Sequence, residues 1–503
     1  MDVVIGIDLG TQGVRALAVT ARGEIVASSQ EKLFPDAPNL PAGWAEQNAL
    51  EWWRATALCL RHLTKSLSEV ASPSGAHIAG IAIDSTSGTV LPIDDTGQPL
   101  HPALMYNDAR SEPYVSLVRA AAQEQEKRLG YAFNASFALP KIIWFIHERS
   151  DVRARARRFV HATDFLTGRL TGDYGVTDYS DALKTGFDLL AGKWPQFIEN
   201  ELGVSLDHLP RVVAPGELLG AVSQVGANET GLPTGTPVYG GATDGTAAQI
   251  ASGAVEPGAW NSSLGTTLVV KGITSQLLLD PQQRIYSHRH PEGWWMPGGA
   301  SNTGSEWIIR EFAGRNLNQL DTQAEHVLPT AIVRYPLARL GERFPFLCPR
   351  AEGFIVDHRN SQTSITRVEA VGASDAADIM LYAAGMEGTA LLERLSYEML
   401  AQIGASVGNV IHVTGGGSNS RVWLRIRASV LGRELVRPVS SETAMGAALL
   451  AATGAWYSKL SEAARMMVRE DIRVPPDPTW SAAYDEKYAV FYGQLVQRGY
   501  LAP

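Results

Sequence analysis

Asp8-Leu9-Gly10-Thr11 packs a carboxylate, a glycine and a hydroxyl into four residues. A glycine turn lets backbone N–H groups approach a phosphate closely, and Thr11 adds a hydroxyl donor. Asp8, just past an apolar run, can hold Mg2+ directly or through water. The same residues also suit a plain hairpin with a turn-favouring aspartate. Leu264-Gly265-Thr266-Thr267 repeats the pattern 255 residues later, again between two strand-like runs. Two such hairpins suit a polyphosphate gripped from two sides.

Three further segments carry polar chemistry. Gly240-Gly241-Ala242-Thr243-Asp244 follows the apolar Pro237-Val238-Tyr239 and precedes the helical Ala247 to Ile250, so Asp244 falls at a strand-to-helix junction. A helix N-terminus favours the ionised carboxylate, and such a group in a cleft can take a proton from a substrate hydroxyl. A simple N-cap aspartate has the same pattern. Gly415-Gly416-Gly417-Ser418-Asn419-Ser420 lies between the apolar Val410 to Val413 and the helical Val422 to Leu431. Three glycines there let a flat adenine or ribose lie against backbone, or make a tight turn; the spacing is neither GxGxxG nor Walker A. Asp84-Ser85-Thr86-Ser87-Gly88 and Tyr106-Asn107-Asp108 each end a strand. Hydroxyls and amides at strand ends suit a polyol, with Tyr106 against its carbon skeleton; ordinary loop capping fits equally.

Other features carry less. His288-Arg289-His290 puts two histidines on one strand face without an obvious third metal ligand. Trp52-Trp53 and Trp294-Trp295 read as packing. The basic run Arg153 to Arg158 reads as a solvated helix face.

These residues need a scaffold that brings distant segments together. Val3 to Ile7 and Val14 to Val19 read as a hairpin, with Ile25 to Ala27 as a third strand. Trp44 to Leu63 reads as helix and Ile78 to Ile83 as another buried strand. Strands alternating with helices predict α/β layers, and the repeated glycine hairpin predicts two α/β lobes related by duplication. The turn-rich Gly231 to Pro237 places the boundary so that the domains span 1–238 and 239–503. Tyr335 to Pro349, with three prolines, is a second irregular stretch. The 503 residues suffice for several domains and a large core. A net charge of −9 argues against a nucleic-acid-coating protein. Cys59 and Cys348 are too few for a disulfide framework and fit a reducing cytoplasm. Met1-Asp2-Val3-Val4 has no basic segment of a secretory signal, and no apolar run is long enough for a membrane span.

Taken in order, the motifs resemble those of the FGGY carbohydrate kinases over essentially the whole chain. Gly43-Trp44-Ala45-Glu46-Gln47 is similar to that family's Gly-Trp-x-Glu-Gln, and Tyr106-Asn107-Asp108-Ala109-Arg110 to its Trp-Asn-Asp-x-Arg. Asp8-x-Gly10-Thr11, Gly240-Gly241-x-x-Asp244, Gly265-Thr266-Thr267 and Gly415 to Ser420 complete the series. The resemblance implies two actin-like (ribonuclease-H-like) ATPase lobes around a deep cleft holding sugar, ATP and Mg2+. The N-terminal lobe would bind the sugar and the C-terminal lobe ATP. It implies Asp244 as general base, Asp8 as the Mg2+ residue, and Gly10, Thr11 and Arg15 near the transferring phosphate. Gly265, Thr266 and Thr267 would bind phosphates, and Gly416, Gly417 and Asn419 the adenosine. Thr86, Ser87, Tyr106, Asn107, Asp108 and Asp244 would face the sugar. Homodimers are common among such relatives; neither a nucleic-acid nor a membrane partner is implied.

Glycerol kinases carry Arg-Glu, and xylulose kinases usually Met-His, where this chain has Ser87-Gly88. Thr86-Ser87-x-Thr89-Val90, with Tyr106 for Trp, looks more like plant and cyanobacterial D-ribulose kinases. The expected substrate is a ketopentose, D-ribulose slightly ahead of D-xylulose. Ribitol, arabinitol, sedoheptulose and glycerol are the alternatives, with a sugar-sensing pseudo-kinase behind them. An actin-like or Hsp70-like switch would share the hairpins but has no need of the polar clusters at 85–87 and 106–108.

Overall fold

The computed structural model describes residues 1–34, 39–71, 75–357 and 375–502. Its described residues divide into two compact units. The first is Met1–Val255 with His288–Trp294 and Ser440–Arg469; the second is Glu256–Ser287, Trp295–Val439 and Glu470–Pro503. The boundary expected at 238 and 239 lies inside the first unit, which also takes in two segments from later in the chain.

In the first unit, β1 (Asp2–Leu9) and β2 (Gly13–Thr20) form the expected hairpin, with Leu9 opposite Val14. β3 (Ile25–Lys32) extends it antiparallel. On the other side of β1, β4 (His77–Ser85) runs parallel to it. β5 (Pro237–Tyr239) and β6 (Ala242–Thr243) run parallel to β4. A parallel neighbour requires a crossover, and α1 (Ala49–Val70) makes it. The sequence predicts that helix over 44–63. It begins at Ala49 because the Asn48 side chain accepts the Leu50 N–H and caps it. Glu46–Gln47 instead pairs as a short strand with Ala103–Leu104. The basic run ends a short helix, Ser150–Arg155, with Arg153, Arg155 and Arg157 exposed.

The two sheet faces are covered differently. α1 places Trp52, Leu60 and Leu63 against Ile5, Ile7 and Val14. The opposite face holds Val4, Leu17 and Val19 under the returning helix Thr443–Ala455, whose residues Ala444 to Ala452 are all buried. Small residues permit this contact. A Cβ on Gly6 would lie 1.9 Å from the Ala444 carbonyl, and one on Gly446 would lie 2.0 Å from that of Ala247.

The second unit repeats the strand plan. β7 (Trp260–Leu264), β8 (Leu268–Gly272) and β9 (Trp295–Ser301) run antiparallel in series. β10 (Val410–Thr414) lies parallel to β7, and β11 (Glu434–Pro438) parallel to β10. Each unit thus has three antiparallel strands followed by parallel ones beyond the first strand of its hairpin. This is the duplicated α/β plan expected from the paired glycine turns. α4 (Asp375–Gln402), α5 (Arg421–Leu431) and α6 (Pro478–Gln497) supply Leu391, Leu424 and Phe491 to the second core. No helix among the described residues is long and apolar enough to cross a membrane.

Candidate active site

Parallel register assembles the acidic residues of the first unit. Asp8 and Asp84 are register partners on β1 and β4. Ala242 and Thr243 of β6 stand opposite Asp84 and Ser85, so Asp244 follows at the same sheet edge as the first residue of α3 (Asp244–Ala251). Ligand crevices of open α/β sheets form at these C-terminal strand ends. Thr243 N–H donates to Ser180 Oγ at 2.9 Å, and Asp244 Oδ1 accepts the Gly245 N–H at 2.6 Å.

Asp84 is fully buried, and among the described residues neither of its oxygens has a hydrogen bond of regular geometry; its carboxyl rests against Asp8 and Thr443. Burial, then the charges of Asp8 and Asp244, hold it well above the usual carboxylate range. Burial also raises Asp8, while Thr443 and Arg15 pull it back. Sequence reasoning noticed Asp84 only as part of a polyol-binding strand end. Its carboxylate neighbours come from other strands, and Thr443 from the returning helix.

The first glycine turn closes the β1–β2 hairpin. Gly10 N–H donates to the Gly13 carbonyl at 3.0 Å, leaving Thr11 exposed at the tip. Arg15 reaches Glu442 at 2.9 Å and donates to Gln30 at 3.0 Å. Asp8, Arg15, Gln30 and Phe34 line a cavity of about 610 Å3. Among the described residues, no group of three or more His, Cys, Asp or Glu side chains has metal-holding geometry. One partly exposed carboxylate beside a second, uncompensated one nevertheless fits Mg2+, which commonly takes one or two carboxylates plus phosphate oxygens and water. Asp8, the partly exposed one, is the carboxylate that could hold it. His288 and His290 are buried, and His290 Nδ1 accepts the Glu292 N–H.

The polyol-type loops form a second cluster in the same unit. Thr86 and Thr89 share a hydroxyl hydrogen bond of 2.8 Å, and Ser87 Oγ is buried with no hydrogen-bond partner among the described residues. Tyr106 and Asn107 are exposed. Asp108 is engaged differently: its carboxylate accepts from the Ala45 N–H at 2.6 Å and from Arg110 at 2.8 and 2.9 Å. Arg110 also pairs with Glu46 and stacks 3.8 Å from the Trp44 ring centroid. The Gly43 to Gln47 and Tyr106 to Arg110 motifs therefore interlock, and Asp108 frames its loop.

The second unit gathers the other predicted loops. Gly265 N–H donates to the Thr267 carbonyl at 3.0 Å, with Thr266 exposed at the tip. Ser263 of β7 is the register partner of Thr414, so the Gly415 to Asn419 loop emerges beside that turn. Gly415 has φ +80°, and Cβ atoms on Gly415 and Gly417 would sit 2.6 Å from Leu264 atoms. Gly416 faces open space. Arg437 holds the far end of the loop, donating to the Ser418 carbonyl at 2.6 Å and to Asn419 Oδ1 at 3.3 Å.

The sequence profile of the FGGY family of carbohydrate kinases, N-terminal domain, matches residues 3–251, and that of its C-terminal domain matches residues 260–455. The chain belongs to the FGGY family of carbohydrate kinases, enzymes that transfer phosphate to a sugar. A xylulose kinase of Streptomyces rubiginosus is 32% identical over 459 residues, covering 89% of this chain and 87% of the relative. A xylulose kinase of Bacillus subtilis (strain 168) is 27% identical over 482 residues, covering 93% of this chain and 92% of the relative. The crystal structure of a xylulose kinase from Rhodospirillum rubrum superimposes with a TM-score of 0.84 at 27% identity, covering 98% of each chain.

Proposed function

We propose that this enzyme transfers the γ-phosphoryl group of MgATP to a hydroxyl of a ketopentose, with Asp244 as general base. The observation that carries the reading is the meeting of Asp8, Asp84 and Asp244 at one edge of the first sheet. Phosphoryl transfer needs positioning and charge stabilisation more than covalent chemistry. Asp244 would accept the proton of the attacking hydroxyl. Asp8 would hold Mg2+, whose charge offsets that building on the phosphoryl oxygens. Gly10, Thr11 and Arg15 would meet the transferring phosphate. Gly265, Thr266 and Thr267 would hold the remaining phosphates, and Gly416, Gly417 and Asn419 the adenosine. Thr86, Ser87, Tyr106 and Asn107 would face the sugar, with Asp108 fixing the Tyr106–Asn107 loop. The buried, unpartnered Ser87 hydroxyl is the kind of group a sugar hydroxyl would satisfy.

The two ketopentoses rest on different observations. The names of the relatives favour xylulose. Ser87-Gly88, without the usual Met-His, favours D-ribulose. Reduced, buried cysteines suit a cytoplasmic location.

ADP release with MgATP across ribulose, xylulose, ribitol, arabinitol, sedoheptulose and glycerol tests the substrate. One ketopentose should dominate by kcat/KM. Asp244→Asn should lower kcat by about 10³-fold or more at unchanged melting temperature, in the upper range for lost acid–base catalysis. Preference for glycerol or ribitol would sink the ketopentose reading. A near-normal kcat in Asp244→Asn would remove the base assignment.

A further inference from the structure

Lys141 lies on α2 (Ala138–Glu148) and is fully buried. Its ammonium makes three contacts, all to backbone carbonyls and each in a different loop stretch. It donates to Gly88 at 2.9 Å, to Ser136 at 3.2 Å and to Tyr106 at 3.5 Å. Two of these acceptors sit in the loops that carry Ser87 and Tyr106. Neither the Gly88 nor the Tyr106 carbonyl belongs to a ladder strand, so no sheet register holds them. Gly88 has φ +80°, and a Cβ there would fall 2.3 Å from the Ser136 carbonyl, so these stretches already touch.

An ammonium buried without a salt-bridged carboxylate is costly. The facing charges are Asp108, which favours the cation, and Lys184, which opposes it; burial is the largest influence and holds Lys141 down at about 7. A methionine would fill the same volume without that cost. The position instead keeps three donors directed at loop carbonyls, in a loop whose serine hydroxyl has no partner among the described residues.

We propose that Lys141 is a positioning residue of the carbohydrate pocket: its ammonium ties the Gly88, Tyr106 and Ser136 carbonyls together and so fixes Ser87 and Tyr106 for recognition of a sugar's hydroxyl pattern. This rests on the assignment of those two loops to the sugar.

The test compares full-length wild type, Lys141→Met and Lys141→Gln on the same carbohydrate panel, with sugar affinity measured by calorimetry without nucleotide. Lys141→Met should weaken sugar binding about tenfold, the scale of one lost charge-assisted hydrogen bond. The preference for the best sugar over the next should shrink by a similar factor, while KM for ATP stays within about twofold. Lys141→Gln keeps two donors on a shorter stem and should fall between. It carries the test if the methionine variant does not fold. Unchanged sugar affinity and unchanged preference, with only the melting temperature lowered, would overturn the proposal. Failure of the ketopentose reading would show separately in the wild-type panel, and Lys141 is then read on the carbohydrate that wild type uses.

Discussion

Asp84 is fully buried where β1, β4 and β6 bring three aspartates to one sheet edge. Desolvation and two neighbouring aspartates favour its protonated form in the folded chain. The sign for stability follows. A carboxyl whose folded pKa is raised contributes fully below its unfolded value, about 3.9, and loses that contribution as pH rises toward the folded value. Asp84→Asn mimics the protonated group at every pH. In metal-free buffer it should raise the melting temperature, more at pH 8 than at pH 5, by scanning calorimetry. An equal or larger gain at pH 5 would contradict the electrostatic account. Asp108 has a framing role that residue type alone does not reveal. A carboxylate in a polar motif looks like a ligand group, yet Arg110 and the Ala45 N–H take up its oxygens.

At the scale of elements, the site depends on how closely a helix approaches a strand. Gly6 lets Thr443–Ala455 lie against β1, the strand that delivers Asp8. Gly6→Ala would drive a methyl into the helix backbone and should cost about 2–3 kcal/mol, with kinase activity falling as β1 shifts. Gly416→Ala meets nothing within 4 Å and should stay within about 0.5 kcal/mol of wild type. Denaturant midpoints of the two variants check this; equal midpoints would refute the packing argument. The elements themselves were largely legible. The two glycine hairpins, the strand before Asp84 and the loop after β10 follow from runs of apolar residues ended by turn residues, which are local signals. The start of α1 was misplaced by five residues because Trp44 continues an apolar pattern while Asn48 sets the cap.

At the scale of the molecule, the first unit is discontinuous. Its sheet has one face covered by α1 from early in the chain and the other by residues 443–455. A chain ending at Val439 therefore leaves Val4, Leu17 and Val19 uncovered. Such a truncation should appear in the insoluble fraction, or bind a hydrophobic dye if soluble. A soluble, monomeric product with cooperative unfolding would show that the returning helix is dispensable.

The order of motifs and the repeated hairpin were enough to indicate a duplicated α/β kinase, because each motif is a short contiguous string whose local geometry its own residues dictate. Three features were decided only in the folded chain: Asp84 set beside Asp8 and Asp244, the helix Thr443–Ala455 returned to the first sheet, and the three carbonyls gathered on Lys141. Each joins residues tens to hundreds of positions apart. Strand register, the covering of a second apolar face and the need of a buried ammonium for acceptors are interactions through space, and no local spacing records them.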